Sequence, residues 1–408
     1  MLKTDALDII NAAIKNSLPY EQTVKTLASL SLPENGLIVL AIGKAAIPMA
    51  KAASDVLGSR IKTGLAVTKY DHTGDFSSPY FEVIEAAHPV SDENSILAAE
   101  KALTIADSLT GNDTVLVLLS GGGSALFEKS KISPALQRDI TKKLLARGAE
   151  IGEINALRRR LSLVKGGRFA ARCYPAKVVT LALSDVLSND KSVIASGITV
   201  NDETTDEEIK ALVKKYLYDV PAEALGVLFE KEELKINDGG YHFVGDIRSL
   251  CEGAVKRAEA LGYKTECVST ALTGEAREKA VEILDSISYE SGKHAYILGG
   301  ETTVTLKGKG KGGRNQEMAL TAAIVLRGAE HVVFASAGSD GTDGPTDAAG
   351  GIAEGDTFQK LKDLGIDPED ELNDNNSYFA LKKADALIVT GPTGTNVNDI
   401  TLVLTDYR

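Results

Sequence analysis

Short apolar runs recur along the chain, and each ends abruptly in glycine, serine or a charged residue. Leu37–Ile42 is uninterrupted, then come Gly43 and Lys44, then an alanine-rich helical stretch over 45–57. The run at 115–119 has the same form and leads into Ser120, Gly121, Gly122, Gly123 and Ser124. Such runs suit strands buried on both faces of a parallel sheet, with helices between them. The pattern predicts further strands at 64–70, 80–87 and Lys177–Leu183. It also predicts one or two amphipathic helices over 4–30, a helix capped by Ser91 or Asp92 and ending near Asp107, and another opening at Ser133-Pro134. Apolar periodicity is weakest over 219–240, so a domain boundary is placed there, giving domains 1–235 and 236–408. Alternation then restarts, with strands expected at 241–244, 264–269, 294–298, 331–336 and 386–389.

The residues at the strand ends carry the chemistry. Three glycines between two serines let backbone N–H groups approach a phosphate or carboxylate, unless they serve only as a tight turn. Lys44 stands where a helix begins, a position unfavourable for a cation unless an anion binds beside it; the plain alternative is a solvated lysine. His88, before Pro89, is either a ligand contact or structural. Asp185 follows a strand and is open to three readings: metal ligand, general base or helix cap. Residues 154–172 read as one basic helix, including Arg158, Arg159, Arg160, Lys165 and Arg168. That density fits a pocket for a polyanionic small molecule, or a solvated face.

In the second half, Gly308, Gly310 and Gly313 match GxGxxG, but three lysines crowd the motif and no acidic residue follows to hold a ribose. The segment reads instead as a flexible cationic loop that presents Arg314 to an anion. Asp340, Asp343 and Asp347 lie in one rigid, oxygen-rich loop suited to a cation or a substrate hydroxyl, or simply to an Asp-rich turn. The polar turn containing Asn396 and Asn398 suits recognition of a small polar molecule.

Composition narrows the field. The chain has 408 residues, enough for two domains, with 43% hydrophobic and 25% charged content. A net charge of −12 argues against nucleic-acid or anionic-membrane partners. The three cysteines form no CxxC or Cys/His pattern, no apolar stretch reaches membrane-span length, and the first residues are unlike a signal peptide. A cytoplasmic protein is expected.

Taken together, several blocks resemble the glycerate 2-kinase family with a MOFRL C-terminal domain. They are Gly43-Lys44-Ala45, the Ser120–Ser124 loop with Ala125 and Leu126, Lys165-Gly-Gly-Arg168, Gly312-Gly-Arg-Asn-Gln-Glu317, Asp340-Gly-Thr-Asp-Gly-Pro-Thr-Asp347 and Gly394-Thr-Asn-Val-Asn398. The resemblance spans nearly the whole chain. It implies a Rossmann-like N-terminal domain with a parallel sheet, a smaller α/β MOFRL domain, and an active site in the cleft between them. It also implies ATP and Mg²⁺ as cofactors and D-glycerate as substrate, phosphorylated at the 2-hydroxyl. By the same resemblance Lys44, Asp185, Arg314, Asp340 and Asn396 are the catalytic residues; from their own chemistry Asp185 and Asp340 are also the candidate metal ligands, and residues 120–124 the loop expected to bind the nucleotide phosphates. The chain departs from the family where Arg160 replaces a histidine and where Ser188 and Asn189 replace a glycine and an aspartate. Members have also been labelled hydroxypyruvate reductases, so an NAD(P)H-dependent reductase and 3-hydroxyl regiochemistry are the alternatives. A homodimer is left open.

Overall fold

The structure, a computed structural model, describes residues 1–230 and 232–407. Lys231, inside the stretch expected to hold the domain boundary, lies outside the described residues. The chain forms two compact units, and neither is continuous in sequence. One contains Thr23–Leu183 and Asn189–Val244; the other contains Met1–Gln22, Ser184–Ser188 and the chain from Gly245 onward.

The sheet of the first unit comprises β1 (Leu37–Ile42), β2 (Ile61–Lys69), β3 (Phe81–Ala86), β4 (Thr114–Leu119), β5 (Lys177–Leu183) and β6 (Asn237–Gly245). Its order is β3-β2-β1-β4-β5-β6, and the four pairs from β3 to β5 are parallel. The chain builds outward from β1 on one side, then returns to start β4 on the other. This reversal makes the β1/β4 border the topological switch point, where open α/β sheets bind ligands beyond their carboxyl ends. Every residue of β1 and β4 is buried, as their unbroken apolar runs require. The Asp92 cap is as expected: its side chain accepts from Ser95 N–H at the start of the helix Glu93–Asp107.

One strand was expected elsewhere. Periodicity places the run at 241–244 in the second half, yet it is the core of β6 and borders β5 in the first sheet. Gly239 permits this, since a Cβ there would meet Val179 Cγ2 at 2.7 Å and Val178 O at 2.8 Å. Single-sequence periodicity does not register that close approach.

The second unit has its own sheet: β7 (Lys264–Leu272), β8 (Gly292–Gly300), β9 (Val332–Gly338), β10 (Gly350–Glu354), β11 (Leu387–Ile388) and β12 (Asp399–Tyr407). The order is β11-β10-β9-β12-β8-β7, with β7–β8 parallel and the other described pairs antiparallel. Tyr296, Leu298, Met318, Ala322, Phe334 and Val403 pack in one buried cluster, joining sheet to the helix Arg314–Val325. The first helix, Leu2–Asn16, packs in this unit against Ile247–Ala260. Gly253 lets the two axes approach, because a Cβ there would stand 3.0 Å from Ala13 Cα. Arg257 pairs with Asp8, and Tyr263 Oη–H donates to Asp5 at 2.7 Å. The α/β class expected from the sequence, a Rossmann-like sheet plus a second α/β unit, is the architecture observed.

Candidate active site

The expected site residues fall into two groups, one in each unit. The first group sits at the switch point. Parallel register sets Ile42 beside Leu119, so Gly43-Lys44 and the glycine loop leave the sheet abreast. They are stitched together: Lys44 N–H donates to Gly121 O at 2.9 Å, and Ala45 N–H to Ser120 Oγ at 3.0 Å. Gly43 is obligatory here, with φ of +124° and no room for a Cβ, which would lie 2.2 Å from Ser120 Oγ. Among the described residues, no backbone acceptor takes the N–H groups of Gly121, Gly122, Gly123 or Ser124. Backbone donors left over at the carboxyl end of a strand suit an anion. Lys44 is exposed beside them. His88 also faces this loop, with its Cδ2 3.1 Å from where a Gly122 Cβ would stand. Burial lowers the His88 pKa below 6.5, and the charges of Lys44 and Lys69 lower it further. A neutral imidazole therefore stands next to the lysine.

The second group forms at one end of the second sheet. Because β12 runs antiparallel to both neighbours, its first residue, Asp399, lies opposite Gly300 of β8 and Gly338 of β9. Glu301, Asp340 and the turn ending in Asn398 are thereby brought to the same edge. The helix Arg314–Val325 delivers Arg314 from its first turn. A polar cavity of about 100 Å³ results, lined by Asp185, Glu301, Arg314, Asp340, Asn396, Asn398 and Asp399. A wider pocket of about 830 Å³ shares Glu301, Arg314 and Asp340 and continues past Thr342 and Pro345.

Arg314 is gripped rather than free. Nε and Nη2 fork onto the two oxygens of Asp399, and Nη1 donates to Glu301 Oε1 at 2.7 Å. Burial pushes the Asp399 carboxyl up to about 6, against the downward pull of Arg314. Asp343 caps the same helix from another loop, accepting from Asn315 N–H at 3.2 Å and Gln316 N–H at 2.8 Å. Asp340 Oδ1 accepts from Thr342 N–H at 2.9 Å, which orders its loop. Four of the five expected catalytic residues, Asp185, Arg314, Asp340 and Asn396, thus share one cavity; Lys44 belongs to the other group. Among the described residues, no group of three or more His, Cys, Asp or Glu is arranged to hold a metal ion by itself.

Comparison with known proteins bears on both groups. A family model described as a domain of unknown function, DUF4147, matches residues 5–228, and the MOFRL family model matches 294–399. A D-glycerate 2-kinase of Thermotoga maritima is 45% identical, covering 99% of this chain and 98% of the relative. A glycerate 2-kinase of Pyrococcus horikoshii is 39% identical, covering 98% and 96%. The chain belongs to the glycerate kinase family with a MOFRL domain. A solved glycerate kinase structure from Thermotoga maritima superposes on this glycerate kinase family chain with a TM-score of 0.93, at 45% identity and 99% coverage of both chains.

Two expectations about basic segments need correction. Residues 154–172 are not one helix: Ile151–Arg160 and Arg168–Arg172 are separated by a turn through Gly166 and Gly167, both at positive φ. A cavity of about 260 Å³ is lined by Arg160 and Arg168, but Asp202, Asp206 and Glu232 line it as well, so the cations face carboxylates. Lys165 is fully buried against Glu128, Arg159 pairs with Asp202, Arg160 with Asp206, and Arg168 with Glu232. The glycine-lysine loop before Arg314 is likewise not free. Lys307 and Gly308 N–H donate to Asn375 Oδ1 at 2.7 and 2.9 Å, and Gly310 N–H donates to Asp374 O at 2.8 Å. Cβ atoms on Gly308 or Gly310 would run into Asp374 and Asn376, so these glycines serve packing.

Sequence reasoning gave Glu301 and Asp399 no role, and Asn398 only a place in a polar turn suited to recognising a small molecule. Their only signal is position: all three stand within one residue of a strand end at the edge that holds Arg314.

Proposed function

We propose that this protein transfers the γ-phosphoryl group of ATP to the 2-hydroxyl of D-glycerate. The observation that carries this reading is the end-to-end match to the Thermotoga maritima D-glycerate 2-kinase, 45% identical over 99% of this chain. The hydroxyl oxygen attacks phosphorus, the bond to the β,γ-bridging oxygen breaks, ADP leaves, and the hydroxyl proton passes to a carboxylate. Phosphoryl transfer depends mainly on positioning and on neutralising charge. The 120–124 loop supplies N–H donors for nucleotide phosphates, and Lys44 a cation beside them. Arg314 contributes the guanidinium of the acceptor cavity, where it offers the N–H groups not used by Asp399 and Glu301. Asp185 takes the hydroxyl proton, and Asn396 donates to the acceptor.

Mg²⁺ fits the donor set of the second group, which consists of oxygens rather than thiols or imidazoles. This ion binds through one or two carboxylates plus substrate phosphates instead of an all-protein cage. Asp185 and Asp340 would hold it, and when bound it would neutralise phosphate charge. No described helix is long and apolar enough to cross a membrane. We place the enzyme in the cytoplasm, and a homodimer is consistent with this reading.

The test is a coupled assay of ADP release on D-glycerate, run beside NADH oxidation on hydroxypyruvate. ADP release with no NADH oxidation supports the kinase. The reverse result would establish the reductase, which lacks a ribose-holding acidic residue after its only GxGxxG.

A further inference from the structure

We propose that Asn398 is a positioning residue for the acceptor cavity, fixing Asp185 relative to Arg314; this rests on the kinase reading above. Asn398 is 95% buried by virtue of 5% exposure, and it has a left-handed backbone with φ of 67°. Asparagine tolerates that conformation better than most residues. Its three bonds go to three different parts of the cavity wall. Its carbonyl accepts from Ser339 N–H at 3.0 Å, which anchors the loop bearing Asp340. Its Nδ2 donates to Asp185 O at 2.9 Å and to Glu301 Oε2 at 3.1 Å.

The amide orientation follows from chemistry. Both side-chain partners are acceptors only, so the NH₂ group and not the carbonyl must face them. One amide thereby links the main chain of Asp185 to the carboxylate that holds Arg314 Nη1. Asp185 belongs to Ser184–Ser188, a five-residue segment that joins this unit although the residues on either side of it do not. Ser184 N–H donates to Gly245 O at 2.8 Å, and the Asn398 amide adds a direct hold on the main chain of Asp185 itself. The remaining atom, Asn398 Oδ1, is buried and has no hydrogen-bond partner among the described residues. Buried acceptors are rarely left unsatisfied, so the geometry retains this amide for what Nδ2 does, not for ideal local bonding.

Two substitutions separate this role from a backbone role. Asn398→Gly keeps the left-handed backbone and its carbonyl bond while deleting the amide. Asn398→Asp keeps size and backbone tolerance but replaces the donor with an acceptor that faces Glu301 Oε2 and Asp185 O, near Asp340 and Asp399, with Arg314 the one cation among the described residues that line the cavity. If the amide positions Asp185, kcat with D-glycerate should fall in the order Asn, Gly, Asp. The glycine variant should lose roughly 10–100-fold, as misplacement without loss of a reacting group does, with ATP affinity and melting temperature little changed. A second readout does not depend on activity: amide hydrogen exchange over Ser184–Ser188 should quicken in Asn398→Gly. Wild-type kcat and exchange in both variants would overturn the proposal, since a backbone role alone predicts that outcome. So would activity and melting temperature falling in parallel, which would make Asn398 merely structural. If the wild-type enzyme does not phosphorylate D-glycerate, the kinase reading fails, while unaltered exchange in the glycine variant would separately refute the positioning role.

Discussion

At the residue scale, the sequence singled out Arg314 but not the carboxylates that define what it can do. Arg314 and Asp399 are 85 residues apart and meet only because β12 pairs with β8 and β9 in one register. No local pattern encodes that meeting. Its consequence is that Arg314 is oriented as a fork and not merely charged. Arg314→Lys keeps the charge but loses the fork, so kcat should drop roughly 10²–10⁴-fold with a smaller change in KM, as for other electrostatic groups of phosphoryl transfer. Steady-state kinetics with both substrates varied would check this; a lysine variant with near-normal kcat would show that charge alone suffices. The two candidate carboxylates are separable in the same way. Asp185→Asn should abolish turnover if Asp185 accepts the proton, whereas retained kcat at saturating Mg²⁺ together with a dead Asp340→Asn would transfer that role to Asp340.

At the element scale, the switch point was the most legible part of the chain. An apolar run followed by Gly-Lys, and a second followed by three glycines, is what two central parallel strands and a ligand loop must look like. What sequence could not supply was their adjacency, which comes from the β1–β4 pairing, or the presence of His88 beside them. Gly122 has φ of +86° and faces His88 and Lys44, so Gly122→Val would be strained and would crowd both. ATP affinity should fall markedly while the rest of the fold stays intact, as calorimetric titration and circular dichroism would show. His88 provides a sensor of the same site. Burial and Lys44 both disfavour its charged form, so its titration midpoint lies below 6.5. A bound polyphosphate would offset the lysine and raise that midpoint. An NMR titration that gave the same His88 midpoint with and without ATP would argue against phosphate binding at this loop.

At the scale of the whole molecule, fold class and the presence of two α/β sheets followed from periodicity, but the way the chain is shared between the compact units did not. The helix Leu2–Asn16 buries Ala6, Ile9, Ile10 and Ala13 in the unit that contains the C-terminal sheet. Amphipathicity announces that a helix needs a partner without saying which one. A fragment of residues 245–408 would lose this cover, worth about 1.5–3 kcal/mol for each fully buried isoleucine. It should melt well below the full chain, and adding the first 22 residues in trans should raise its melting temperature.

The central claim, phosphorylation of D-glycerate at its 2-hydroxyl, is tested most directly by phosphorus NMR of the product formed from D-glycerate and ATP. The account predicts the resonance of 2-phosphoglycerate appearing in step with ADP. A resonance of 3-phosphoglycerate would contradict the regiochemistry, and no phosphate ester at all would contradict the kinase.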